Sequence, residues 1–358
     1  MKPFLCAALS FFPMMPAVWA QANSGPASSA TQMAPAVSSK APPAKGKATG
    51  IMCLLNGNTL AAAPDLSSEP GFRNPAVQGI VLRAHWNRLE PVEGTIDWSF
   101  FDEGILLAQK NGKVVSLEVV ASSRTPQWVF DSGAKSLILT TPHTGAVQAI
   151  PLPWDSVYLS KWNTFVRAFA NRYDSSPTVA YVTMTGAGRG DEVHFATTRE
   201  DVNQVNQLGG VTVWLQGAKK IVDIYGKAFV HTPFVLATGR PMPGDEGKMA
   251  LSDLMQYGLT NYPEFGFAPH ALWSNSGGTG SMITQTMAEA SPTHTVGFQM
   301  YFSIQNSQTF QGDLGTVLDS GIACGAHFIE VYAADVDNPA NQAALERANS
   351  ALIAKFGR

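Results

Sequence analysis

The chain has 358 residues, 45% of them apolar and 14% charged, and carries a net charge of −3. Enough apolar surface and too little charge exclude an intrinsically disordered chain. The near-neutral balance also excludes a basic face for nucleic acid or a polybasic strip for a lipid surface.

Residues 1–20 read as a secretory signal: Lys2 is the charged start, residues 4–15 the apolar stretch, and Val18-Trp19-Ala20 the small-residue cleavage site. The apolar run is shorter than the roughly 20 residues that span a bilayer, and Pro13 and Pro16 break it. Cys6 precedes the end of that run, which argues against a lipoprotein. Export to the periplasm or beyond is expected, with no membrane span once the signal is removed. Residues 21–48 are Ala, Ser, Pro, Gly and Lys, too poor in apolar side chains to offset ordering entropy; they read as a disordered linker before a single domain over 49–358.

From Gly50 onward, short β-rich runs alternate with helical patterns. Strands are expected over 51–55, 79–84, 114–120, 178–185, 228–237, 265–273, 294–302 and 326–333. Helices are expected over 102–110, ending at Asn111-Gly112, and over 160–172, with Ser160 as N-cap and Trp162, Phe165, Val166 and Phe169 on one face. Further helices are expected over 211–225, 313–320 and 341–355. Eight strands with crossovers in most gaps point to an α/β fold, a (β/α)₈ TIM barrel. An open doubly wound sheet is the alternative, but no glycine-rich dinucleotide loop follows an early strand. The gap after the first strand lacks a clear helix.

Removal of the signal leaves Cys53 and Cys324. An even count in an exported protein permits one disulfide, and first and last strands are neighbours in a closed barrel; two free thiols are the alternative. Two cysteines without a histidine cluster argue against structural zinc.

Barrel chemistry sits at the C-terminal strand ends. The fourth strand opens into Gly186-Ala-Gly-Arg-Gly-Asp191-Glu192-Val-His194, where a glycine-bearing loop can lay Glu192 over the mouth as an acid/base; an exposed loop carboxylate is the other reading. Arg83 ends the second strand and suits an ion pair with a carboxylate. Trp86, Trp128, Trp273, Tyr301 and Tyr332 fall at or past strand ends, either as aromatic faces for a ligand or as core. Glu118 lies mid-strand and reads as structural; Glu330 lies in the last strand with Asp335 beyond it.

The stretch over 79–129 holds Arg83-x-x-Trp86, Leu89-Glu90-Pro91, Asp97-Trp98, a helix led by Asp102, Gly112-Lys113 and Thr125-Pro126-x-Trp128. It resembles the (β/α)₈ barrels of glycoside hydrolase clan A, the cellulase and microbial β-galactosidase superfamily. The resemblance implies a carbohydrate substrate, no metal or organic cofactor, and retaining chemistry by two glutamates ending the fourth and seventh strands. Glu192 matches the acid/base, with Asp191 in place of the usual Asn, and Arg83 matches the arginine near the nucleophile. His194 has no firm counterpart. Gln299 stands where the nucleophile is expected. Either Glu330 supplies the second carboxylate from the adjacent strand, or catalysis is lost and sugar binding kept, or the strand count is off by one and Glu330 is on the seventh strand. The expected catalytic pair is Glu192 and Glu330, with Arg83, Trp86, Trp128, His194, Trp273, Gln299, Tyr301 and Tyr332 around the sugar. A catalytically inactive carbohydrate-binding barrel is the alternative function, and an envelope scaffold a third.

Overall fold

Ten strands occur among the described residues: β1 (Gly50–Leu54), β2 (Gly79–His85), β3 (Val114–Val120), β4 (Ser136–Thr140), β5 (Val147–Pro151), β6 (Val179–Met184), β7 (Phe234–Thr238), β8 (Phe265–Pro269), β9 (Gly297–Gln299) and β10 (Phe328–Tyr332). β4 and β5 form a separate antiparallel hairpin. The other eight are ordered β8-β7-β6-β3-β2-β1-β10-β9, and their ladders are parallel. Isolated parallel bridges, Phe267–Val296 and Leu272–Met300, join the two ends of that order. The result is the expected (β/α)₈ barrel, seen in a computed structural model that describes residues 48–55, 65–140, 145–274, 276, 281–305 and 312–357. These belong to one unit, Pro42–Arg358. The signal read over 1–20, and the linker except Ala48, lie outside the described residues.

Period-two alternation sorts each strand into an inner and an outer row. On β2, Ile80, Leu82 and Ala84 join the large core between barrel and helices. Val81 instead joins Met52, Leu54, Tyr181, Val235, Ala268 and Phe328 in a small inner cluster. Tyr181 and Phe328 stack with centroids 4.3 Å apart, filling the barrel floor. The next inward position on each strand is two residues further on, and this carries Arg83, His270 and Glu330 towards the mouth.

The helices follow sequence chemistry. Ser156–Tyr173 buries Trp162, Phe165, Val166, Phe169 and Tyr173 at helical spacing, each such side chain contributing roughly 1.5–3 kcal/mol. Its N-cap is Asp155, which accepts from Tyr158 N; Ser160, the expected cap, lies a turn inside. Asn111-Gly112 ends Ser99–Lys110 as expected, with Gly112 at φ +66°. Among the described residues between β1 and β2 there are two 3₁₀ turns, Leu66–Ser68 and Pro70–Phe72. The strand expected over 228–237 begins only at Phe234. Residue 228 ends the helix Gly210–Ala228, and the Asp174 carboxylate collects the amides of Val230, His231 and Thr232 into a turn. The helix Gly244–Asn261 was not expected, although Ala250, Leu251, Leu254, Met255 and Gly258 are its buried face. Among the described residues no helix is long and apolar enough to cross a membrane.

The proposed disulfide is corrected: Cys53 and Cys324 are both free. β1 and β10 are neighbours, but the register partner of Cys53 is Val331, well past Cys324 in the chain. Cys53 is buried against Gly71, while the Cys324 thiol lies 3.6 Å from the Ser276 carbonyl oxygen.

Candidate active site

The loop after β6 is shaped by two glycines. Gly186 adopts φ +101°, and its carbonyl accepts from Tyr158 OH at 2.9 Å. A Cβ on Gly188 would stand 1.8 Å from the Glu192 carbonyl oxygen, so only glycine lets the loop fold back on itself there. Arg189 N donates to His194 O at 2.7 Å, and Trp214 Nε1 holds Ala187 O at 2.8 Å. Buried Val193 and Phe195 anchor the return. Asp191 and Glu192 are thereby held at the mouth on a pinned loop.

Below them lies a buried charge network. Arg83 places Nε 2.9 Å from Glu118 Oε1 and Nη2 3.1 Å from Asp191 Oδ2. The same Nη2 donates to Gln299 Oε1 at 2.9 Å. His270, two residues beyond inward-facing Ala268, places Nδ1 3.5 Å from Asp191 Oδ2. Glu330 is 1% exposed and accepts from Tyr181 OH at 2.6 Å through Oε1. Its Oε2 meets no hydrogen-bond donor among the described residues.

These contacts set the ionisation. Burial alone would raise the Asp191 carboxyl, but Arg83 and His270 hold it well below the usual range. Burial alone would lower His270, but the hydrogen bond and charge of Asp191, aided by Glu192 and Glu330, raise it to about 9. Burial raises Glu118 to about 7 against the pull of Arg83. Burial also raises Glu192 and Glu330, opposed in both by His270. The site therefore holds an ionised Asp191, a cationic His270 and two further carboxyls, Glu192 and Glu330, whose pKa values burial pushes above the ordinary carboxylate range. His194 Nδ1 lies 2.8 Å from the Arg240 carbonyl, which can only accept, so Nδ1 carries the proton. Its Nε2 is 3.9 Å from Glu192 Oε2.

The expected site residues divide. Arg83, Gln299, Glu192 and His194 come together, and Tyr332 feels the charges of Arg83, Asp191, Glu330 and Glu192. Trp273 and Tyr301 form an exposed aromatic rim, 48% and 38% exposed, with ring centroids 6.2 Å apart. Phe302, which the sequence reading did not single out, continues it 4.3 Å from Tyr301. Trp86 is corrected: it is fully buried among Trp128, Tyr158, Trp162 and Phe165, with Nε1 donating to Glu90 Oε2, and cannot meet a ligand. Trp128 is half-buried at the edge of that cluster, edge-on to Trp86 and bonded to Glu90 O. His270 also escaped the sequence reading, although the strand alternation of Phe265–Pro269 continued by one step would have found it.

Gln299 ends β9, the seventh barrel strand, and Glu330 sits on β10, the eighth, because β1 is a true barrel strand paired with both β2 and β10. The off-by-one strand count is thereby excluded.

Residues 78–198 match the model of a family described as beta-galactosidase, which bears out the resemblance read from residues 79–129. No curated protein matches the chain. Among solved structures, the catalytic domain of a beta-amylase from Paenibacillus polymyxa is 10% identical, with TM-score 0.55, covering 87% of this chain and 98% of that one. A cold-adapted beta-galactosidase from Rahnella sp. R3 is 12% identical, with TM-score 0.56, covering 88% of this chain and 58% of that one. A beta-galactosidase from Halorubrum lacusprofundi is 13% identical, with TM-score 0.53 and coverages of 84% and 57%. The chain thus spans little more than half the length of these galactosidases. At such identities the likeness concerns the fold.

Proposed function

We propose that this chain is an exported glycoside hydrolase that cleaves O-glycosidic bonds of an oligosaccharide or polysaccharide with two carboxyl groups. Glu192 is read as the proton donor to the leaving oxygen, and Glu330 as the second carboxylate. The supporting observation is the charge network at the C-terminal mouth: Asp191, the chain neighbour of Glu192, pairs with Arg83 and His270, and Arg83 also holds Gln299, the register partner of Glu330. A carboxyl raised by burial is suited to protonate a leaving oxygen near neutral pH. Arg83 and Asp191 fix the floor of the site, and Trp273 and Tyr301 offer aromatic faces to a sugar ring. The match to a family described as beta-galactosidase makes β-galactosides the first substrates to try.

The test is hydrolysis of aryl glycosides and of a polysaccharide panel by the wild type, Glu192→Gln and Glu330→Gln. The expected loss in Glu192→Gln is about 10²–10⁴-fold in kcat, smaller for aryl leaving groups that need no proton. Activity surviving both substitutions removes the two-carboxyl reading. Sugar binding without hydrolysis by the wild type supports a binding barrel instead.

A further inference from the structure

The helices Ser156–Tyr173 and Gly210–Ala228 pack side by side through buried rings: Trp162 meets Tyr225 at 6.3 Å between centroids, and Phe169 meets Phe229, just past the second helix, at 5.4 Å. The pair leaves a cavity of about 530 Å³ between them, lined by Asn163, Arg167 and Asn171 from the first helix and Lys220, Asp223 and Lys227 from the second. Ala170 and Ala228 also line it, and side chains this small leave the space open. The volume falls within the roughly 300–1,000 Å³ of small-ligand sites.

Helical spacing builds the lining. Asn163, Arg167 and Asn171 recur every fourth residue, so amide, guanidinium and amide follow one another along one face at steps of about 6 Å. Lys220, Asp223 and Lys227 form the facing stripe by the same periodicity. Among the described residues Arg167, Lys220 and Lys227 have no ion-pair or hydrogen-bond partner, and neither amide has a hydrogen-bond partner. Asp223 is the carboxylate of this lining, and Tyr257 OH and Tyr262 OH both donate to its Oδ1, at 2.7 and 2.8 Å. Lys227 sits in the last turn of its helix, where the dipole favours a cation. Arg167 and Lys220 lie more than a turn from any helix end, so the dipole does not account for them.

Three cations around one cavity repel one another, and an anion between them relieves that repulsion. A guanidinium meets a carboxylate or sulfate with two parallel hydrogen bonds. Each amide offers both donors and an acceptor, which suits a hydroxyl, since a hydroxyl also does both. Three cations in one groove fall short of the basic stripe that a nucleic-acid backbone calls for. We propose that this groove is a second, non-catalytic binding site for an acidic oligosaccharide. Its carboxylate or sulfate groups meet Arg167, Lys220 and Lys227, and its hydroxyls meet Asn163 and Asn171. The site does not depend on hydrolysis at the barrel mouth.

The test is calorimetric titration of the full chain with tetragalacturonate and with a sulfated galactan tetrasaccharide, beside neutral galactotetraose, inorganic sulfate and a short single-stranded DNA. The two acidic sugars separate carboxylate from sulfate recognition. One variant carries Arg167→Gln and Lys220→Gln, and a second carries Asn163→Ala and Asn171→Ala. Arg167, Asn171 and Lys220 are exposed and Asn163 half-buried, so Tm should stay near the wild-type value in both. The expected result is that one acidic sugar binds at least tenfold more tightly than the neutral sugar and than inorganic sulfate. The first variant should lose tenfold or more of that affinity and the second threefold or more. Unchanged affinity in either variant overturns the site. Binding of neither acidic sugar overturns it too, as does sulfate binding as tightly as the sugars or DNA binding more tightly. Hydrolysis of aryl glycosides by the first variant should match the wild type, so failure of this proposal and failure of the hydrolase reading are seen separately.

Discussion

Arg83 donates through Nη2 to Gln299 Oε1 across 2.9 Å, so the guanidinium spends a hydrogen bond on a neutral amide. Its charge is matched instead by Glu118 and Asp191. Arg83→Met should therefore leave the buried Glu118 without its counter-charge and Asp191 with His270 alone. The expected loss is about 3–5 kcal/mol of stability, as when one partner of a buried ion pair is removed. Urea denaturation checks this; a loss below about 1 kcal/mol would mean that the network relaxes into solvent.

Trp86→Ala should cost about 3–5 kcal/mol, because it empties the centre of a packed aromatic cluster. KM for any hydrolysed glycoside should stay within about twofold of wild type at a temperature where the variant is folded. A large rise in KM with unchanged thermal stability would return Trp86 to the ligand site.

Gly188→Ala should abolish activity while most of the fold persists. The added methyl collides with the Glu192 backbone, which must move, and a displacement of about 1 Å at a catalytic group can cost 10²-fold. Far-ultraviolet circular dichroism and kcat, measured on one preparation, separate the two effects. Unchanged kcat would show that the position of Glu192 on this loop does not matter.

Stability should fall from pH 5 to pH 9. Glu118 has its pKa raised from 4.5 to about 7 in the folded state, so between those values the folded chain keeps a proton that the unfolded chain has lost. This shift corresponds to about 3 kcal/mol lost as pH climbs through that window. Burial moves Glu192 and Glu330 in the same direction. His270, raised from 6.5 to about 9, stabilises fully below 6.5 and ceases to do so as pH passes 9. Asp191, held down by its cations, loses its contribution only in acid. Calorimetry should give a higher Tm at pH 5 than at pH 9, with a flatter slope between pH 5 and 7 in Glu118→Gln. A Tm that rises across this range contradicts the ionisation described.

Much of this molecule was legible in its residues, because barrel strands are short, apolar and separated by regular crossovers. Val114–Val120 was bounded by pattern alone, and Gly186 to Glu192 announced a loop at a strand end. What stayed hidden was set by tertiary contact. Asp174 captures three amides and trims the fifth strand, which no local pattern reveals. Trp86 was ambiguous because a tryptophan past a strand end packs as readily against helices as against a ligand. The cysteines misled because adjacency of strands says nothing about register. His270 was overlooked because a lone histidine at a strand end carries no motif, and only its 3.5 Å approach to Asp191 gives it meaning.

The wall of the barrel is unevenly stitched. Ladders run along every other boundary, but β8 and β9 are joined through isolated bridges, and β9 is three residues long. Backbone amides on this side should exchange with deuterium sooner than those between β2 and β3, where seven residue pairs share one continuous ladder. Trp273, Tyr301 and Phe302 are mounted just past that seam. A wall that loosens on one side carries its aromatic rim with it, so this rim should be the part of the mouth whose shape varies most.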